Sequence, residues 1–188
     1  MSRPLILAST SRYRKALLEK LGLPFECAAP NVNESVLPGE DAQTLVARLA
    51  HAKARAIADQ HDQGLIIGSD QMCVCDGRIL GKPGTVERAV AQLMAAQGRS
   101  VTFYTGLCVL DAASGRAEQL IEPFTVHFRQ LDEAAIRRYV EAEQPLDCAG
   151  SFKCEGMGIV LFKALEGRDP NALIGLIELL ARHGIALP

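Results

Sequence analysis

Two short runs without a polar residue, Leu5-Ile6-Leu7-Ala8 and Leu65-Ile66-Ile67, constrain this chain more than any other feature. A strand with one face in water alternates apolar and polar residues, so an unbroken apolar run implies a strand covered on both faces. Helices layered on both sides of a sheet provide such cover. The first run passes through Ser9-Thr10-Ser11 into a helical pattern carrying Leu17, Leu18 and Leu21, with Gly22 as its C-cap. A helix over residues 42–60, with Leu45, Leu49 and Ile57 on one face, precedes the second run, which closes at Gly68-Ser69-Asp70.

The second half reads differently. A loop carrying Asp76-Gly77 and Gly81-Lys82-Pro83-Gly84 leads to an N-cap at Thr85 and a helix marked by Val86, Val90, Leu93 and Met94. Residues 101–110 and 118–129 read as two strands joined in a hairpin across 112–115. Asp132 opens a helix with Ile136, Tyr139 and Val140 inward, residues 158–162 read as a last strand, and 173–182 as a last helix stopped at Gly184. The expected fold is α/β, a mixed twisted sheet flanked by helices. No repeat or linker interrupts residues 1–188, which read as one domain, the hairpin half forming a second lobe on one elongated sheet.

Of the 188 residues, 48% are hydrophobic and 22% charged, as in ordinary globular proteins, and the net charge of −2 provides no basic field for nucleic acid. The apolar run near the N-terminus is too short for a signal-peptide core, and no stretch approaches the roughly 20 residues of a membrane span. The expectation is a cytoplasmic protein with neither nucleic acid nor membrane as partner. Its six cysteines, Cys27, Cys73, Cys75, Cys108, Cys148 and Cys154, are then reduced thiols. Cys73 and Cys75 fit strand alternation better than a metal site, since no second Cys/His pair has zinc-like spacing.

Three features point to anion chemistry. At the strand–Ser9-Thr10-Ser11–helix junction, followed by Arg14 and Lys15, free backbone N–H groups, hydroxyls and two cations suit a phosphate. An ordinary N-cap with solvated basic residues accounts for it equally, and the glycines of a Walker A loop are missing. Lys53 lies four residues after Leu49 and four before Ile57, so it shares their inward face and must snorkel, pair with an acid, or meet a cavity. Lys82 adds another cation. Asp70, at the end of an apolar run, is a candidate metal ligand or general base, with a turn-forming aspartate as the plain alternative.

Leu7-Ala8-Ser9-Thr10-Ser11-Arg12-Tyr13-Arg14, Asn33-Glu34, Lys53, Gly68-Ser69-Asp70-Gln71, Gly81-Lys82-Pro83 and Ser151-Phe152-Lys153-Cys154-Glu155-Gly156 together resemble the Maf family of nucleotide pyrophosphatases. The resemblance spans nearly the whole chain and is strongest to the YceF-type branch, which hydrolyses 7-methyl-GTP to 7-methyl-GMP and pyrophosphate. It implies an elongated fold with two lobes around a cleft, similar to inosine triphosphate pyrophosphatases. It also implies Asp70 as proton acceptor, with Lys53, Lys82 and Glu34 in the catalytic group and Ser9 and Arg14 on the phosphates. Tyr13, Gln71 and Glu155 match the specificity positions. A divalent cation, magnesium or manganese, is implied, with Asp70 and Glu34 as its ligands.

The expected partner is a small-molecule nucleotide, with a homodimer left open. A broader dTTP/UTP-type pyrophosphatase and a nucleotide-binding regulator of septum formation remain alternatives within the same resemblance. The chain departs from the family pattern at Arg12, where proline is common, at Asn33, where aspartate is usual, and after Leu176, where a proline and further residues are missing.

Overall fold

The computed structural model describes residues 3–154 and 156–186. In chain order the elements are β1 (Leu5–Ala8), α1 (Arg12–Glu19), β2 (Glu26–Ala28), α2 (Ala42–Ala58), β3 (Leu65–Cys75), β4 (Arg78–Leu80), α3 (Val86–Ala96), β5 (Ser100–Asp111), β6 (Ala117–Phe128), α4 (Glu133–Glu143), β7 (Phe162–Glu166) and α5 (Leu173–Arg182). Two short 3-10 turns, Ala149–Ser151 and Met157–Leu161, lie between α4 and β7. The seven-stranded sheet runs β2-β1-β3-β5-β6-β7, with β4 paired to β3. Strand β1 is parallel to β2 and β3, whereas the β3/β4 and β6/β7 pairs are antiparallel. The turn between β5 and β6 is far too short for a crossover, so this pair is antiparallel as well. The sheet is mixed, as expected.

The chain divides into two compact units, one of Met1–Gln71, Thr105–Glu122 and Asn171–Pro188, the other of Met72–Tyr104 and Pro123–Pro170. The first unit explains the apolar runs. Leu5, Leu7, Leu65, Ile67, Leu107 and Val109 pack with Leu18 of α1 and Leu176, Leu179 and Leu180 of α5. Ile6, Ala8, Ile66, Cys108 and Leu110 pack with Ala50, Ala54 and Ile57 of α2. Successive strand residues therefore enter opposite cores.

Helix α2 lies unusually close to the sheet. A Cβ on Gly68 would sit 2.0 Å from the Ala50 carbonyl oxygen, and one on Gly106 would sit 2.2 Å from that of Val46. No side chain fits at either point. On α5, Gly175 similarly admits the buried Glu122, whose Oε1 would lie 2.5 Å from an added Cβ. That sets a carboxylate against the first turn of a helix, where negative charge is favoured.

The second unit is built around aromatic rings. Phe103, Phe128, Phe152 and Phe162 meet edge to face with centroids 5.2–5.5 Å apart. Leu93 of α3 and Ile136, Tyr139 and Val140 of α4 close over this cluster. Among the described residues, no helix is long and apolar enough to cross a membrane.

Several local expectations change. Strand β3 does not end at Asp70 but continues to Cys75, because Gly68 is demanded by the approach of α2 and not by a turn. Residues 76–80 are not a loop: Asp76 and Gly77 both have positive φ (47° and 75°) and turn β3 into β4, as an Asp-Gly hairpin does. The strand expected over residues 158–162 begins only at Phe162. Gly158 packs against the Lys153 carbonyl, where a Cβ would come within 2.2 Å, and the chain coils through Met157–Leu161 before β7 begins. Strand β2 went unread, since its three residues show no buried side chain. Helix α5 forms over Leu173–Arg182 as read, despite the shortened family pattern that follows it.

Candidate functional site

Lys53 supplies the centre of the site. Its position on the inward stripe of α2 leaves it 5% exposed, as is Asp70 on β3. The ammonium Nζ donates to Asp70 Oδ1 at 2.6 Å and lies 2.7 Å from Glu34 Oε1. Of the three fates open to an inward lysine, pairing with acid is the one realised. Glu34 itself is 58% exposed, so the cluster runs from the protein interior to water. Arg14 Nη2 lies 4.0 Å from Asp70 Oδ1. Burial lowers the pKa of this guanidinium, while Asp70 and Glu34 oppose the shift. Two cations thus meet two carboxylates.

Backbone closeness at Gly68 brings this about. With α2 against β3, a lysine at residue 53 and an aspartate two residues beyond Gly68 can touch without extending into solvent. The other oxygen of the carboxylate, Asp70 Oδ2, is buried and has no hydrogen-bond partner among the described residues. Leaving a buried carboxylate oxygen unsatisfied costs about 1–3 kcal/mol or more. A water, a metal or a substrate proton would remove that cost.

The loop holding Glu34 is tied down by residues the sequence did not flag. Arg48 donates through Nε to Glu40 Oε1 at 2.6 Å and through Nη2 to the Ser35 carbonyl at 2.9 Å. Glu40 Oε2 accepts from Leu37 N, and Asn33 Oδ1 accepts from Ser35 N. The hydrogen bond from Arg48 is the main reason the Glu40 carboxyl is pulled down to about 2. Asn33, standing where the family pattern has aspartate, therefore shapes the turn beside Glu34.

At the first strand–helix junction, Ser9 is buried and its Oγ accepts from Ser11 N at 3.1 Å, while Ser11 caps α1 through Arg14 N. Arg14, Ser69 and Asn171 line a small hollow with apolar residues of β1, β3, α1 and α5. Lys15 is not brought to the cluster: it is exposed and pairs with Glu19 on its own helix. Tyr13 carries the Arg12 guanidinium 4.8 Å from its ring centroid, and Arg12 Nη2 donates to the Tyr13 hydroxyl at 2.8 Å. Gln71 Nε2 donates to Thr105 Oγ1 at 2.9 Å. Ser9, Tyr13, Arg14, Glu34, Lys53, Asp70 and Gln71 all belong to the first unit. Lys82 is exposed in the second unit, on the irregular stretch after β4. Glu155 lies outside the described residues.

No group of three or more His, Cys, Asp or Glu side chains is placed to hold a metal among the described residues. Asp70 and Glu34 are two oxygen donors, with Asp70 Oδ2 unsatisfied. That set fits a hard cation completed by phosphates and water, as magnesium commonly is. The cysteines do not compete for this role. Burial raises the Cys73 thiol pKa and pushes that of Cys108 up to about 12, away from the thiolate form a metal needs.

A family model described as Maf-like protein matches residues 4–182. The chain is 56% identical over 189 residues to a protein named 7-methyl-GTP pyrophosphatase from Pseudomonas aeruginosa, covering 98% of each chain. A protein of the same name from Colwellia psychrerythraea is 54% identical, with 97% of this chain and 94% of that one covered. Among solved structures, the Staphylococcus aureus Ham1 protein superposes with a TM-score of 0.53 at 13% identity, covering 97% of this chain and all of that one, a likeness of fold alone. The match of the family model and the close relatives, over almost the full length, place the chain among the Maf-like proteins, and it belongs to that family.

Proposed function

We propose that this protein hydrolyses 7-methyl-GTP to 7-methyl-GMP and pyrophosphate, with Asp70 as the general base. The observation that carries the reading is the Lys53–Asp70 pair, buried, charge-assisted and with one carboxylate oxygen left unsatisfied. An acid whose Oδ2 has no donor among the described residues is suited to take a proton from an attacking water. The names of the half-identical relatives supply the substrate.

Lys53 holds Asp70 in place through Oδ1, so the carboxylate presents Oδ2 without rotating. Arg14, at the start of α1 and 4.0 Å from Asp70, is positioned to draw a phosphate toward that oxygen. Glu34 gives Lys53 a second carboxylate partner, 2.7 Å from its Nζ. Asp70 and Glu34 would hold a divalent cation, which when bound offsets phosphate charge and polarises the phosphoryl oxygens. The resemblance counts Lys82 in the catalytic group as well.

For the base, N7 methylation makes guanine cationic. An aromatic face attracts a cation by about 0.5–2 kcal/mol, and the Tyr13 ring already carries one, the Arg12 guanidinium. Gln71, its amide nitrogen held by Thr105, would accept from the base through its carbonyl oxygen. Glu155 would accept from the guanine N1–H and amino group.

The test is pyrophosphate release across 7-methyl-GTP, GTP, dTTP and UTP at equal concentration with magnesium. The expected result is fastest release from 7-methyl-GTP. Faster release from dTTP or UTP would overturn the substrate.

A further inference from the structure

Between β2 and α2 the chain forms neither helix nor strand over residues 29–41, and apolar burial does not hold this loop, since Val36 and Leu37 are both half exposed. A segment with so little buried contact opens readily unless polar bonds fix it. Arg48 of α2 provides them. Its Nε donates to Glu40 Oε1 at 2.6 Å and its Nη2 to Glu40 Oε2 at 2.8 Å, the two-pronged geometry in which arginine binds a carboxylate most firmly. The same Nη2 donates to the Ser35 carbonyl at 2.9 Å, and Glu40 Oε2 also accepts from Leu37 N at 3.0 Å. One guanidinium therefore ties residues 35, 37 and 40 to the helix.

The Glu40 side chain is only 4% exposed and that of Arg48 30%, and such shielding strengthens the pair relative to one in open water. Arg48 and Lys53 stand five residues apart on the same helix, an axial rise of about 7.5 Å. Helix α2 thus holds both the anchor of the loop and the ammonium that Glu34 meets at 2.7 Å. Glu34 itself is largely exposed, and an exposed carboxylate on a free loop gains little from such a pair against the entropy of ordering it. We infer that Arg48 is a positioning residue of the proposed reaction, setting Glu34 against Lys53 by fixing the loop that carries it. This rests on the reading of Glu34 as a member of the catalytic group, and Arg48, Glu40, Glu34 and Lys53 all belong to the first unit.

The test compares Arg48→Ala, Arg48→Lys, Glu34→Gln and the double variant Arg48→Ala/Glu34→Gln with the wild type. Turnover of 7-methyl-GTP is measured well below each melting temperature, and amide hydrogen exchange over residues 33–41 is followed without substrate. Arg48→Ala lowers kcat roughly tenfold, as misplacement of a group beside the reacting carboxylate does, with a smaller change in KM. Arg48→Lys keeps the charge but not the fork, and loses most of the same factor. The double variant falls no lower than Glu34→Gln, because Arg48 acts through Glu34. Exchange over residues 33–41 quickens by about tenfold or more in both Arg48 variants.

Glu34→Gln separates two kinds of failure. If it turns over at the wild-type rate, Glu34 has no part in the reaction, and the inference falls with that reading. If it is impaired while Arg48→Ala and Arg48→Lys keep kcat, the reading of Glu34 stands and the positioning role is overturned. A lowered melting temperature with unchanged kcat has the same meaning, as does a double variant whose loss is the product of the two single losses. Loop exchange that stays at the wild-type rate in Arg48→Ala overturns the anchoring itself. Should Arg48→Ala fail to fold, Arg48→Lys and Glu40→Gln, which each spoil the fork while keeping a polar side chain there, test the same contact.

Discussion

The two units of this protein solve the problem of a buried interior in opposite ways. The first sets a helix backbone directly on its strands at Gly68 and Gly106 and spends the resulting closeness on a lysine and an aspartate that never reach open water. The second fills its interior with four phenylalanines in edge-to-face contact and pairs the partly exposed Lys153 with Glu143 at the end of α4. Desolvating a charge pair costs several kcal/mol per ion unless its geometry is excellent. Aromatic packing instead gains about 0.5–1.5 kcal/mol per ring pair beyond simple burial. A fold selected for stability alone has no reason to choose the first arrangement. On the proposed reading, the charged interior supplies the base of the reaction, and the aromatic one is packing.

The contrast can be broken hardest at the glycine contact. Gly68→Ala forces a methyl group into the Ala50 carbonyl, and we expect a loss of about 3 kcal/mol or more in chemical denaturation, as overpacking of a rigid contact produces. Gly115, with φ +73° and nothing within reach of an added Cβ, is the control, where alanine should cost only about 1 kcal/mol for backbone strain. Equal costs would mean that α2 does not rest on the sheet.

Lys53→Met should come next, leaving the Asp70 carboxylate buried without its donor at about 3 kcal/mol near neutral pH. The double variant Lys53→Met/Asp70→Asn should recover a large part of that loss in the same denaturation assay, because no buried charge then remains unpaired. Additive losses would argue against a coupled pair. In the second unit, Phe128→Leu removes two edge-to-face contacts and should cost about 1–2 kcal/mol while leaving pyrophosphate release unchanged.

The smallest effect is electrostatic. The Arg48 hydrogen bond holds the Glu40 carboxyl near 2, below the ordinary 4.5. A carboxyl lowered by folding adds stability that is present above its unfolded pKa and lost as pH falls through the folded value. Melting temperature should therefore decline between about pH 4.5 and 2, and Arg48→Ala should flatten that part of the profile. A profile unchanged by Arg48→Ala would show that the pair does not form.

Much of this was legible beforehand where a single physical rule dominates. Doubly buried strands must read as apolar runs, and β1 and the start of β3 did; a lysine on an apolar helix stripe needs an acid, and Lys53 has two. What stayed hidden depends on backbone approach between distant segments. Gly68 reads as a turn in one dimension and proves to be a packing contact, so Asp70 was placed at the end of a strand that in fact continues for five more residues. Arg48, Glu40 and Glu143 gave no signal at all, since each looks like an ordinary surface charge until the loop it holds is folded onto it. Lys15 shows the reverse error: neighbourhood in sequence to Arg14 did not bring it to the same place.

In the proposed reaction, the buried acid held by Lys53 performs the proton transfer. Asp70→Asn preserves the size of the side chain and an oxygen able to accept from Lys53, while removing the basicity. Pyrophosphate release from 7-methyl-GTP by this variant, with its melting temperature and nucleotide affinity measured in parallel, should fall by roughly 100-fold or more in kcat with both other properties nearly intact. Turnover within a few-fold of the wild type would rule out Asp70 as the base.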